Sequence, residues 1–362
     1  MEQTLKFRDP ELANSIALKI KAVAPKQGHF KICHVCGTHE WAITHFGLRS
    51  LLPENVEVIA GPGCPVCIVP AAEIDEALLL AKQGKVITCF GDLLRVPGSK
   101  FSLIDAKAAG ADVRIVYALS DAIKMAEKEN SKDFVFFAVG FETTAPITAV
   151  EALGHLPANF SFLVSHRLIP PAMKLLLSVE DLKLNGFIAP GHVSAIIGLK
   201  PYEIFTKNYN MPTVVAGFEP IDVLMSIYLI LKQINTGDIR LENEYSRVVH
   251  PEGNKKALDL MEKAFEVTAG NWRGIGELPN SALQLKESLK EYDTRKKYNI
   301  QIKQGEDVHR GCQCHQVIVG KIRPNQCPMF LKSCTPANPV GACMVSSEGT
   351  CRVWAKNVAA QT

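Results

Sequence analysis

"VEVIAGPGCPVCIVPAAEIDEALLLAKQGKVITCFGD", residues 56–92, is the stretch whose reading decides the fold. It opens on an apolar, β-branched run that ends in a Gly/Pro turn (56–64). Pro70 then starts a helical segment (71–83) with acidic residues in its first turn. A second apolar run, "KVITCFGD" (85–92), follows at once. Strand, turn, helix and strand in this order are the unit from which parallel α/β sheets are made.

The same pattern recurs on both sides. Runs ending in small or polar turns occur at "HFKICHVCGTHE" (29–40), "VRIVYALS" (113–120), "FVFFAVGFETT" (134–144), "FSFLVSHR" (160–167), "GFIAPGHVS" (186–194) and "TVVAGFEP" (213–220). They are almost wholly apolar, as strands covered on both faces are. Eight such strands fit two doubly wound units better than one barrel. The charged stretch "AEKENSKD" (126–133) is the expected break between them. "IAGPGCPVC" (59–67) and "IAPGHVSAI" (188–196) form a weak internal echo, each a strand, a Gly/Pro turn and a reactive side chain.

Composition narrows the function classes. The 362 residues carry 40 Lys plus Arg against 37 Asp plus Glu, a net charge of +3 that gives no reason to expect a nucleic-acid partner. The N-terminal stretch lacks the apolar centre of a leader peptide, and no run is long and apolar enough to span a membrane. A cytoplasmic protein is expected. Eleven cysteines are many for a reducing compartment, and metal or redox chemistry accounts for them better than structural disulfides. No P-loop, no dinucleotide fingerprint and no Cys-x₃-Cys-x₂-Cys triplet is present.

Six cysteines fall after residue 311. Cys312, Cys327, Cys334 and Cys351 are separated by 14, 6 and 16 residues, and Pro follows Cys327 directly. Structural zinc prefers two tight Cys-x₂₋₄-Cys knuckles, which the tail lacks, so spacing favours an iron–sulfur cluster. Cys314 and Cys343 are spare thiols able to substitute in the set. The tail reads as a small domain folded around something other than apolar packing. The expected architecture is therefore α/β. Two related doubly wound parallel-sheet domains (27–130 and 131–235) precede a helical, Cys-rich iron–sulfur domain (236–362), on which an N-terminal helix (9–24) packs.

In open parallel sheets, sites form beyond the carboxyl ends of strands. Cys36, His39, Cys64, Cys67, Glu142 and His192 all fall there. Cys33 and Cys36 make one CxxC, and Cys64 and Cys67 another. Four-cysteine zinc is one reading of the two pairs, although the 27-residue gap is long and Cys33 lies within a strand as a core residue. A redox dithiol at Cys64 and Cys67 is another. Thr38 is the expected N-cap of the helix after Cys36, and a thiol near a helix N-terminus is expected to have a lowered pKa. His39 and His192 can bind metal or carry a proton, and Glu142 can accept a proton or orient a ligand.

Together, "CGTHE" (36–40), "GPGCPVC" (61–67), "GFETT" (140–144), "PGHVSAIIG" (190–198) and the tail spacing resemble the HypD family of hydrogenase maturation proteins, over nearly the whole chain. The resemblance implies a scaffold on which the Fe(CN)₂CO group of [NiFe]-hydrogenases is assembled. It implies a small chaperone of the HypC type as partner, with cyanide supplied by HypE and HypF upstream. It implies one [4Fe–4S] cluster on Cys312, Cys327, Cys334 and Cys351. Cys36 is then the ligand of the transient iron, and Cys64 and Cys67 the dithiol that exchanges electrons with the cluster. An iron–sulfur thiol–disulfide oxidoreductase of the ferredoxin–thioredoxin reductase type is the alternative.

Overall fold

The computed structural model describes residues 7–302 and 305–357. The eight expected strands are all present. They are β1 (Phe30–His34), β2 (Val56–Ala60), β3 (Val86–Cys89), β4 (Val113–Ile115), β5 (Phe134–Gly140), β6 (Phe160–His166), β7 (Gly186–Pro190) and β8 (Thr213–Ala216). Every residue of β3, β5, β6, β7 and β8 is buried, in keeping with sheets covered on both faces.

The strands are shared out differently from the expected ranges. One parallel sheet has the order β2-β1-β7-β8-β9, where β9 is Leu241–Asn243; the other has the order β4-β3-β5-β6. The sheets therefore cut across the 130/131 division, since β7, β8 and β9 return to the sheet that β1 and β2 begin. The stretch 56–92 is itself divided. β2 pairs with β1, β3 pairs with β4 and β5, and the helix Ala71–Lys82 crosses from one sheet to the other. A strand–helix–strand sequence specifies the elements, but the partner of each strand is chosen by contacts far away in the chain.

The N-terminal helix, Pro10–Val23, is capped by Asp9, whose carboxylate accepts from the amides of Glu11 and Leu12. It does not pack on the C-terminal region. Its buried face, Ile16 and Ile20, joins Ile221, Leu224 and Ile227 of the helix Pro220–Thr236 over the first sheet. That partner helix offers the longest apolar face in the chain, and burying each Ile there stabilises by roughly 1.5–3 kcal/mol.

The C-terminal region is less helical than expected. It holds an antiparallel hairpin, β10 (Phe265–Trp272) and β11 (Gly276–Leu285), then short helical turns around the tail cysteines. The hairpin anchors the turn after Cys67. Arg273, fully buried, donates to the carbonyls of Val69, Pro97 and Asp307, and its own amide donates to Ile68. Asp307 in turn accepts from the amides of Ala71 and Gly274. A buried guanidinium that satisfies three carbonyls makes this loop rigid.

Candidate functional site

β2 and β7 flank β1, so the turns that end these three strands converge. This explains the echo between 59–67 and 188–196: both segments leave neighbouring strands toward the same point, the end of β1. Cys36 stands there and is itself the N-cap of the helix Gly37–His45, in place of Thr38. Two glycines make the approach possible. A Cβ on Gly63 would lie 2.2 Å from the Cys36 amide nitrogen, and one on Gly37 would lie 2.5 Å from the Glu348 carbonyl oxygen.

A narrow cavity at this junction is lined by His34, Cys36, Cys64, Cys67, Cys343 and Glu348, among others. Cys64 and Cys67 form a disulfide, with their Cα atoms 5.3 Å apart. The Nδ1 atom of His192 lies 3.9 Å from the Cys36 sulfur. Cys36, Cys64, Cys67 and His192 are thus brought together. Cys33 is separate, fully buried among Val35, Ile59 and Phe187 in the core.

His39 stands behind the cavity. Its Nε2 pairs with the carbonyl of Gly217, and its ring packs against Phe218. Glu142 belongs to the other sheet. One carboxylate oxygen accepts from the amide of Ile169 and the second is buried without a partner. Glu142 does not line the cavity.

The electrostatics differ from the expectation for Cys36. Burial pushes its thiol up to about 12, outweighing the amides of Thr38 and His39 that favour the thiolate. A helix N-terminus lowers a thiol pKa only where desolvation is small; here the group is 3% exposed and no cation faces it. Burial likewise lowers His192 to about 4 and His39 to about 3, so both rings are neutral. Glu142 is raised to about 7 by burial. Burial, then the charge of Asp92, raises Glu348. Cys36 and His192 therefore meet as neutral groups.

Cys312, Cys314, Cys327, Cys334 and Cys351 line a second, mostly apolar hollow with Met329, Phe330, Gly341 and Met344. Among the described residues no three His, Cys, Asp or Glu side chains converge on a single-ion position, so these thiols surround a space. The Cys314 thiol bonds to Cys312 and draws the Cys312 thiol down. The amide of Val340 donates to the Cys334 sulfur. Cys343 connects the two places. It lines the first cavity with the disulfide, and its sulfur accepts from the amide of Cys351 in the second.

Sequence reasoning missed Cys343 as the connection, Glu348 and His34 as lining, and Arg273 as the anchor. Only the unequal spacing of the tail cysteines hinted at the first. Nothing local marks the others.

Fold and site together define an α/β protein whose parallel sheets and C-terminal region gather its thiols in a cavity and a neighbouring hollow. The chain belongs to the HypD family: the family model described as "HypD: Hydrogenase formation hypA family" matches residues 11–358. It is 48% identical over 356 residues to a Methanocaldococcus jannaschii chain carrying a provisional hydrogenase expression/formation name, covering 97% of this chain and 99% of that one. It is 42% identical over 363 residues to the hydrogenase maturation factor HypD of Cupriavidus necator (97% and 96% covered), and 41% identical over 365 residues to that of Azotobacter vinelandii (98% and 96%).

Proposed function

We propose that the protein is a hydrogenase maturation factor that serves as the scaffold for assembly of the Fe(CN)₂CO group of [NiFe]-hydrogenases. The observation that carries this reading is the cavity shared by Cys36 and the Cys64–Cys67 disulfide, with His192 beside the Cys36 sulfur and Cys343 leading to the cysteine hollow. Cys36 binds the iron cargo between this chain and a small HypC-type chaperone. Its buried thiol gives up its proton as the cation arrives, because the metal supplies the charge that burial denies to a bare thiolate. Low-spin iron with cyanide and carbon monoxide favours such a soft sulfur ligand in a dry site.

The residues of the hollow fit a [4Fe–4S] cluster on Cys312, Cys327, Cys334 and Cys351: buried sulfurs, a surrounding apolar shell and a backbone amide donating to one sulfur. When bound, such a cluster supplies electrons one at a time. The Cys64–Cys67 disulfide takes two electrons and two protons to become a dithiol; it returns both electrons when the S–C bond of a HypE thiocyanate breaks, releasing cyanide and a HypE thiol, the thiocyanate having formed by loss of water from the thiocarboxamide made with HypF. Cys343 stands between the two. The assembly is cytoplasmic; no helix among the described residues is long and apolar enough to cross a membrane.

The test is co-purification with the chaperone from a cell competent in hydrogenase assembly, followed by infrared spectroscopy. Cyanide and carbon monoxide stretches on the complex are expected, and a well-folded complex that never shows them overturns the scaffold. The disulfide beside the hollow also favours a second reading, a thiol–disulfide oxidoreductase. The two part at Cys36, which a reductase does not need.

A further inference from the structure

His34 is the last residue of β1, two positions before Cys36, so in an extended strand the two side chains share a face. It is 1% exposed and lines the cavity that holds Cys36 and the disulfide. Its Nε2 lies 2.8 Å from a Glu40 carboxylate oxygen, while its Nδ1 is buried without a partner.

Glu40 is held as a carboxylate by more than His34. Arg49 donates to both its oxygens, at 3.0 and 2.8 Å, and Thr44 and Trp354 donate to one of them at 2.6 and 2.7 Å. In the neutral ring, a carboxylate facing Nε2 places the hydrogen there and leaves a lone pair on Nδ1. This is how carboxylates present histidine ligands to metals. An unpartnered nitrogen in a dry cavity costs about 1–3 kcal/mol unless something binds it.

We propose that His34 is a second protein ligand, through Nδ1, for the metal that Cys36 anchors. The site takes a soft or borderline divalent cation, and the positions left open belong to the small ligands and the partner. This rests on the reading of Cys36 as the metal anchor. It differs from the expected ligand set, which draws only on Cys36 from this chain. His39 also has a buried, unpartnered Nδ1, but its Nε2 is held by a carbonyl rather than a carboxylate and it does not line the cavity, which sets His34 apart.

The experiment uses the full chain, purified anaerobically, with Co²⁺ alone as the probe. X-ray absorption at the cobalt edge reports on the added ion whatever iron is present. Wild type should show sulfur and imidazole around cobalt. His34→Gln keeps a donor for Glu40; it should weaken Co²⁺ binding about tenfold or more and lose an imidazole while keeping the sulfur. His192→Gln should retain an imidazole, so the test holds even if the His34 variant does not fold. Unchanged affinity and ligation in a folded His34→Gln chain overturn the proposal, as do loss of all imidazole in His192→Gln or failure of wild type to bind Co²⁺. Cys36→Ala separates the two ideas: if it binds Co²⁺ as wild type does, the anchor reading fails whatever His34 does.

Discussion

The two parallel sheets have the same wiring and different uses. In the first, β1 crosses to β2 on one side and β7 to β8 on the other, so the order reverses between β1 and β7. In the second, β3 crosses to β4 and β5 to β6, so it reverses between β3 and β5. Reversal points open crevices beyond the strand ends. The first crevice holds Cys36 and His192, backed by the disulfide. The second is a space of about 220 Å³ lined by Phe90, Tyr117, Thr144, Thr148 and His166. At its edge Asp92 latches the C-terminal loop, accepting from the Ser346 and Ser347 hydroxyls and the Ser347 amide. That loop carries Glu348 back to the first crevice. One topology therefore gathers reactive thiols in one sheet and holds a covering segment in the other.

Changing the reactive crevice should break this comparison most severely. Cys36→Ala is expected to abolish cyanide and carbon monoxide infrared bands on the chaperone complex, whereas Asp92→Ala should retain them. Equal loss in both would erase the distinction between the sheets. Cys343→Ser tests the connection to the tail. With the cysteine hollow loaded and reduced, the Cys64–Cys67 disulfide should open about tenfold more slowly or worse, as followed by thiol trapping. An unchanged rate would remove Cys343 from the path.

The next effects are on stability. Gly63→Ala forces a methyl group into the end of β1 and should cost on the order of 3 kcal/mol in denaturant unfolding, with loss of metal binding. Glu142 sharpens the comparison through pH. Its carboxyl is raised from 4.5 to about 7 by burial, so the folded state holds the proton more tightly than the unfolded chain. Its contribution is full below pH 4.5 and is lost as the pH rises through about 7. Glu142→Gln should therefore gain stability relative to wild type across that window, by roughly 3 kcal/mol at the alkaline end. Parallel pH curves for the two proteins would show that Glu142 is not the group responsible. Asp92→Ala should have the smallest effect, about 1 kcal/mol, together with faster hydrogen exchange in residues 346–348.

Much of this was legible in advance. Eight strands announced themselves as apolar runs ending in Gly or polar turns, and four tail cysteines by their spacing. The hairpin 265–285 was not legible, because its outward residues, such as Glu266, Asn271 and Glu277, dilute the apolar signal of a half-exposed pair. Cys36 was found by its position at a strand end, but its protonation was misjudged, since desolvation depends on neighbours that arrive from residues 192 and 348.

The sequence by itself determined the kind of element at each place and the presence of two cysteine groups. Both follow from local periodicity and from residue chemistry, which the chain carries wherever it goes. Only the tertiary structure decided that β2 and β3, joined by one helix in residues 56–92, lie in different sheets. It alone decided that Cys343 touches both cysteine groups and that His34, with one ring nitrogen unpartnered, lines Cys36's cavity. The physical reason is shared. Strand partners, burial and convergence are long-range choices, made by whichever packing leaves the fewest apolar faces and polar atoms unsatisfied.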